Sequence, residues 1–269
     1  MAVLAHPDDE CLGVGGTLAK YASEGVDVFL LTATRGDKGR YRGYTRADPQ
    51  HPGATELARI REKELQAAAA LLGVRDVSLL NYYDQHLDEV RAGEAVAAIV
   101  DHLRRIQPDV VVTFGPDGAY GHPDHIAISQ FTTAAIVAAA NPAFAAGSNG
   151  PPETHAVSKL YYLAWSESAW KAYQAAFRKL VSTVDGVERQ AVPWQEWAIT
   201  TDIDTRKFWP TVLKAISCHE SQVAVYEGLK QLGPADHEAL WGRQTFYRAF
   251  STVNGGRRME ADLFEGIRK

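Results

Sequence analysis

Short apolar, β-branched runs alternate with longer stretches of helical periodicity through the first half of the chain. Residues 2–5, 26–32, 76–80 and 110–113 read as strands. Residues 12–23, 55–72 and 92–106 read as helices, with Gly25, Gly73 and Pro108 as their stops. Strand–helix alternation with short apolar strands predicts an α/β fold built on a mostly parallel sheet covered on both faces. Ligands in such folds bind beyond the carboxyl ends of the strands. That rule selects the loops that begin at His6, at Ala33, near Tyr82 and at Phe114.

The pattern is less regular in the second half. Residues 141–154, with Gly-Ser-Asn-Gly-Pro-Pro, read as a loop or linker, and all 6 tryptophans lie beyond it. Residues 159–164 and 245–251 read as strands, and 205–219 as an amphipathic helix. No internal repeat is visible. The expected organisation is one domain over residues 1–269, with a core at 1–140 and a substrate-side elaboration at 141–269.

Composition narrows the function. Hydrophobic residues make up 46% and charged residues 23% of 269, which is globular and argues against disorder. A net charge of -5 without a dense basic stripe argues against general nucleic-acid binding. Only 2 cysteines are present, so no disulfide framework or Cys-rich zinc site can form, and the 9 histidines become the main nitrogen ligands. The apolar start is too short for a signal peptide, and no apolar run is long enough to span a membrane. A cytoplasmic enzyme is the expectation, with a homo-oligomer left open. Met1 stands almost at the first motif, which leaves room for a few native residues ahead of it.

The first strand ends in Ala5-His6-Pro7-Asp8-Asp9-Glu10. Pro7 rigidifies the turn, and the spacing of His6 and Asp9 lets both point into one site. The plainer reading is an acidic N-cap for the next helix. The loop after the fourth strand contains Tyr120-Gly121-His122-Pro123-Asp124-His125, a second His-Pro-Asp element just before a helix. Two such elements at one sheet edge can converge, and two His with one Asp make a zinc set with an open position.

The paired motif resembles the PIG-L/LmbE-like zinc-dependent N-deacetylases. That family includes deacetylases of N-acetylglucosaminyl conjugates and of mycothiol and bacillithiol biosynthesis, mycothiol-conjugate amidases and antibiotic-tailoring deacetylases. The resemblance is weaker over the rest of residues 1–140, and it returns in the late Lys214-x-x-x-x-His219-x-Ser221-Gln222. It implies a Rossmann-like three-layer α/β/α fold and one Zn2+, or another divalent ion, held by His6, Asp9 and His125. It further implies Asp8 as general base and His122 as the group that stabilises or protonates the tetrahedral intermediate. Tyr120 would polarise the acyl oxygen, Asp124 would orient a histidine, and Arg61 and Asp84 would hold sugar hydroxyls. The implied substrate is a small-molecule amide, an N-acetylated amino sugar conjugate.

Other features carry less. Leu12-Gly13-Val14-Gly15-Gly16 lacks the glycine spacing of a dinucleotide loop and reads as close packing of the first helix on the sheet. Cys11 reads as a small core residue rather than a nucleophile. The basic loop Arg35, Lys38, Arg40, Arg42, Arg46 reads equally as an anion contact or a solvated loop. The aromatic stretch 161–197 reads as packing or as a stacking face for a sugar or aglycone. His219 reads as a helix cap or as support for the site. Relatives often carry an acidic residue before the late strand, where this chain has Arg243-Gln244. The competing functions are an amidase of thiol conjugates, a hydratase of unsaturated acids and a carbohydrate-binding module.

Overall fold

The structure is a computed structural model and describes residues 1–145, 153–177, 181–184 and 186–268. Half of the expected linker, residues 146–152, lies outside the described residues. The first half forms strands β1 (Ala2–Leu4), β2 (Phe29–Thr34), β3 (Asp76–Tyr82) and β4 (Val110–Phe114). Between them lie helices α1 (Asp9–Leu12), α2 (Gly15–Ser23), α3 (Ala54–Leu71) and α4 (Ala92–Ile106). A distorted turn, α5 (Gly118–Gly121), and a long helix, α6 (Pro123–Ala140), follow. The second half adds β5 (Lys159–Leu163), α7 (Glu167–Phe177), the hairpin β6 (Val181–Val184) and β7 (Val187–Gln190), and β8 (Thr201–Asp204). It closes with α8 (Trp209–Ile216), α9 (Val223–Tyr226), α10 (Pro234–Trp241) and β9 (Arg243–Ser251).

A seven-stranded sheet has the order β3-β2-β1-β4-β5-β9-β8. The pairs among the first five strands are parallel, and β9 runs antiparallel between β5 and β8. β1 and β4 are buried throughout, as continuous apolar strands in the middle of a covered sheet must be. Helix α6 packs on α4, β1 and β4, while α8 meets α1, α2, α3 and α10. The chain leaves β1 toward β2 and leaves β4 toward β5, so β1 and β4 form the switch point where ligands bind in such sheets. Among the described residues no helix is long and apolar enough to cross a membrane.

Several boundaries differ from the sequence pattern. The expected helix 12–23 is two helices broken at Gly13 and Val14, and the first begins at Asp9, inside the motif. Gly13 lies against Leu163 of β5, as close packing on the sheet requires, and Gly16 lies against Thr205. A Cβ on Gly16 would lie 2.8 Å from Cβ of Thr205, so this glycine lets α2 approach the segment leading to α8. The expected helix 205–219 is shorter, because Pro210 can sit only in a helix's first turn and so sets its start. The hairpin β6–β7, β8 and α10 had no clear periodic signal. Residues near the carboxyl terminus tie the added strands together. Glu260 accepts bonds from Lys159 Nζ at 2.6 Å, Tyr161 Oη at 2.7 Å, Thr201 Oγ1 at 2.9 Å and Asn254 Nδ2 at 2.6 Å.

Candidate metal centre and active site

His6 leaves the end of β1, Asp9 opens α1, and His125 lies in the first turn of α6 behind Pro123. His6 Nδ1 lies 3.2 Å from His125 Nε2, and Asp9 oxygens lie 3.6 Å from the former and 3.4 Å from the latter. The three side chains are buried. Asp9 Oδ2 also accepts the backbone N–H groups of Ala5 at 3.2 Å and His6 at 2.7 Å, which aims the carboxylate inward. Burial pushes the His125 pKa down to about 3, helped by neighbouring His6 and His122 and opposed by Asp9. His125 is therefore a neutral imidazole at ordinary pH, the form that offers a lone pair.

The residues fit a divalent metal. Two ring nitrogens facing each other at hydrogen-bond distance beside a carboxylate can share a proton or a cation, and this N, N, O set suits zinc. The opposite face of His6 agrees. Its Nε2 lies 3.0 Å from Asp124 Oδ2 and 3.2 Å from Asp84 Oδ1, so the ring proton sits there and Nδ1 is left to ligate. Burial opposes a charge on His6, but Asp84, Asp124 and Asp9 outweigh it and raise its pKa well above the usual value, so without a metal Nδ1 holds a second proton toward His125, which a bound cation would replace. Asp124 also accepts the backbone N–H groups of Gln85 at 2.7 Å and Leu87 at 3.1 Å.

Asp8 points elsewhere. Its φ of 107° is left-handed and strained for a residue with a side chain, and it turns adjacent carboxylates apart. Asp8 Oδ2 accepts from Arg61 at 2.9 Å and from Tyr226 Oη at 2.6 Å. Burial pushes its pKa up, and the Arg61 guanidinium opposes that. The Asp8 N–H donates to Glu10 Oε2 at 2.9 Å, and Glu10 Oε1 meets His219 Nε2 at 2.7 Å and Cys11 Sγ at 3.0 Å. His219 is thus a support for the motif loop rather than a cap, and Cys11 is fully buried.

Tyr120 and His122 reach the centre on a kinked turn in which Ala119 has φ 63° and ψ -64°. Gly118 is required there, since its φ is 62° and a Cβ would meet Ile126 Cγ1 at 2.7 Å. His122 Nδ1 accepts the Asp124 N–H at 3.2 Å, so a neutral His122 carries its proton on Nε2. Burial, with His6 nearby, lowers its pKa and keeps it neutral. The His122 ring lies 4.8 Å from that of His125 and 4.9 Å from that of His6.

These groups line a cavity of about 270 Å³ with two unlike walls. Gly39, Arg61, Asp84, Gln85 and Gln222 make a polar wall on the β2–β3 side, and Leu12, Leu163, Trp165, Tyr173 and Phe177 an apolar wall on the β5–α7 side. Trp165 and Tyr173 stack at 4.5 Å. A larger hollow of about 590 Å³ lies at the other end of the strands, against Met1, Phe29 and Phe264, away from every group described above.

Arg61 and Asp84 do line the cavity, but both terminal nitrogens of Arg61 and both oxygens of Asp84 are already engaged, while the buried Arg61 Nε has no partner. Arg61 holds Asp8 and the carbonyls of Pro7 and Gly36, and Asp84 holds His6 and the Lys38 N–H. Two of the five basic residues of the loop are paired within the protein, Arg35 with Glu62 and Arg42 with Glu220. Gln244 lies outside the cavity and bonds Thr17, while Arg243 pairs with Asp202 at the surface. Two contributors were not singled out as site residues by the sequence: Tyr226, which belongs to no motif, and Glu10, which ends the first motif without a role of its own.

Residues 1–136 match the family model described as PIG-L: GlcNAc-PI de-N-acetylase, and full-length relatives agree. A 1D-myo-inositol 2-acetamido-2-deoxy-alpha-D-glucopyranoside deacetylase of Rhodococcus erythropolis is 35% identical, over 99% of this chain and 97% of its own length. The chain belongs to the PIG-L family. The Rhodococcus jostii member of the same name is 36% identical over 84% of this chain and 82% of its own. Among solved structures, the N,N'-diacetylchitobiose deacetylase from Pyrococcus horikoshii aligns with a TM-score of 0.62 and 25% identity, covering 86% of this chain and 74% of that one. The 4-carboxy-2-hydroxymuconate hydratase from Pseudomonas putida aligns at 0.63 and 18% identity over 95% and 97% of the two chains, a likeness of fold alone. This PIG-L chain thus has the mostly parallel, helix-flanked sheet of its structural neighbours.

Proposed function

We propose that the protein is a zinc-dependent N-deacetylase that hydrolyses the acetamide of an N-acetylglucosamine-type sugar conjugate. The observation that carries this is the separation of two adjacent carboxylates. Asp9 joins two imidazole nitrogens in a metal set, while Asp8 is held off that set by Arg61 and Tyr226. A carbohydrate-binding module needs no such second carboxylate.

Zinc bound by His6, Asp9 and His125 would acidify water and polarise the acyl oxygen. The protein's own groups perform the remaining steps. Both donors to Asp8 reach Oδ2, so Oδ1 is the oxygen that takes the proton as water attacks. The His122 Nε2–H and the Tyr120 hydroxyl donate to the oxygen that becomes negative, where such donors commonly supply a few kcal/mol. The departing amine receives its proton from Asp8 or from His122 Nε2.

The polar wall suits a sugar, and the relatives named for a glucosaminyl-inositol substrate support that class. We assign Arg61 and Asp84 first to holding Asp8 and His6, and to sugar hydroxyls second. The apolar wall favours one further reading, an amidase of conjugates with a bulkier apolar group. The proposed setting is the cytoplasm, supported by two free thiols.

The test is acetate release by the zinc-loaded protein from an N-acetylglucosaminyl inositol, beside a thiol-conjugate amide and an unsaturated dicarboxylate. Release from the sugar is expected. Hydration of the dicarboxylate with no acetate from any amide would sink the reading.

A further inference from the structure

We propose that Tyr226, from the carboxyl-terminal third of the chain, is a positioning residue that keeps the Asp8 carboxylate available for proton transfer and off the metal set. The inference rests on the reading of Asp8 as the general base.

Asp8 and Asp9 are chemically identical neighbours beside one cluster of imidazoles. Something must decide which of them ligates. Backbone N–H groups of Ala5 and His6 aim Asp9 into the cluster. Asp8 is aimed by side chains, through the Arg61 guanidinium at 2.9 Å and the Tyr226 hydroxyl at 2.6 Å on the same oxygen. The Tyr226 ring is buried and lines the cavity, so its hydroxyl cannot trade Asp8 for bulk water without loss.

Helix α3 holds both donors in place. Arg61 extends from α3 directly to Asp8. One turn later, Glu64 accepts the Ser221 N–H at 2.7 Å and the Ser221 hydroxyl at 2.6 Å. Ser221 lies in the short 3₁₀ turn Glu220–Gln222 that leads into α9 and Tyr226. Gln222 adds a bond to the Arg40 carbonyl at 2.7 Å. Residues three apart share a helix face, so one face of α3 sets both arms of the clamp.

Tyr226→Phe removes only the hydroxyl. The variant should keep about one zinc per chain and a KM within about twofold of the parent, while kcat falls about tenfold, the size of one bond to a charged group. In an Asp8→Asn background the same change should cost less than about twofold, because the group it positions is already gone. Three results would each overturn the proposal: unchanged kcat in Tyr226→Phe, a raised KM with kcat intact, or a full kcat loss that persists in the Asp8→Asn background. Loss of zinc in step with activity would also overturn it, since Tyr226 would then serve the metal site. An Asp8→Asn enzyme as active as the parent would instead remove the reading of Asp8 as base.

Discussion

Asp124 and His6, 118 positions apart in the chain, meet at 3.0 Å across the boundary between β1 and β4. The Asp124 carboxylate receives the His6 Nε2 proton and so turns His6 Nδ1 toward Asp9 and His125. Outer partners of this kind typically set metal affinity by 10–100-fold. Asp124→Ala should weaken zinc binding by about that factor, measured by competition with a chelator. His6→Ala and His125→Ala should lose zinc outright. Equal affinity in Asp124→Ala and the parent would show that His6 is oriented by Asp84 alone.

Asp8→Asn should retain about one zinc and lose at least about a hundredfold in kcat, as expected for removal of a general base. Elemental analysis and acetate release read the two quantities separately. If Asp8→Asn lost zinc while Asp9→Asn kept it, the two carboxylates would exchange roles.

The kinked turn carries Tyr120 and His122, the two residues proposed as acyl-oxygen donors. His122→Ala and Tyr120→Phe should each lower kcat more than they raise KM, because their strongest bonds form as the oxygen gains charge. The His122 change should cost more, since its Nε2 proton is also available to the leaving amine. Steady-state kinetics on one acetamide decides this, and unaltered kcat in both variants removes them from the chemistry.

Arg61→Ala should depress hydrolysis of an N-acetyl sugar and of an acetamide without a sugar to a similar degree. The guanidinium is spent on Asp8 and on the carbonyls of Pro7 and Gly36. A loss confined to the sugar substrate would restore Arg61 to hydroxyl recognition.

Glu260 makes a stability prediction away from the site. Burial alone would raise its pKa, but bonds from Lys159, Tyr161, Asn254 and Thr201 lower it to about 2. A carboxylate with a lowered folded pKa stabilises fully above its unfolded value near 4.5 and loses that contribution as pH falls toward 2. The shift corresponds to about 3 kcal/mol. Thermal melts of the parent should therefore drop steeply below about pH 4.5, and Glu260→Gln should flatten that drop while lowering the melting temperature at pH 7. A parallel acid profile in both proteins would show that other carboxylates govern it.

The sequence by itself determined the five parallel strands of the sheet and the place of the chemistry. Strands β1 and β4 were legible because a strand buried on both faces must be continuously apolar, and their following loops had to lie at the ligand edge. His6, Asp9, His122 and His125 were legible because metal donors with prolines beside them have few other uses at two strand ends. The resemblance already implied different roles for Asp8 and Asp9, and only the tertiary structure supplies a physical reason for them. Asp8 and Asp9 are one residue type in one motif, and the left-handed backbone at Asp8, with Arg61 and Tyr226 closing on it, gives them different surroundings. Asp84 was expected to hold a sugar hydroxyl, and the fold sets it 3.2 Å from His6 Nε2. Tyr226 left no trace in the pattern, because a lone tyrosine in a short irregular turn has no period. Its role exists only where α3 brings that turn to the end of β1.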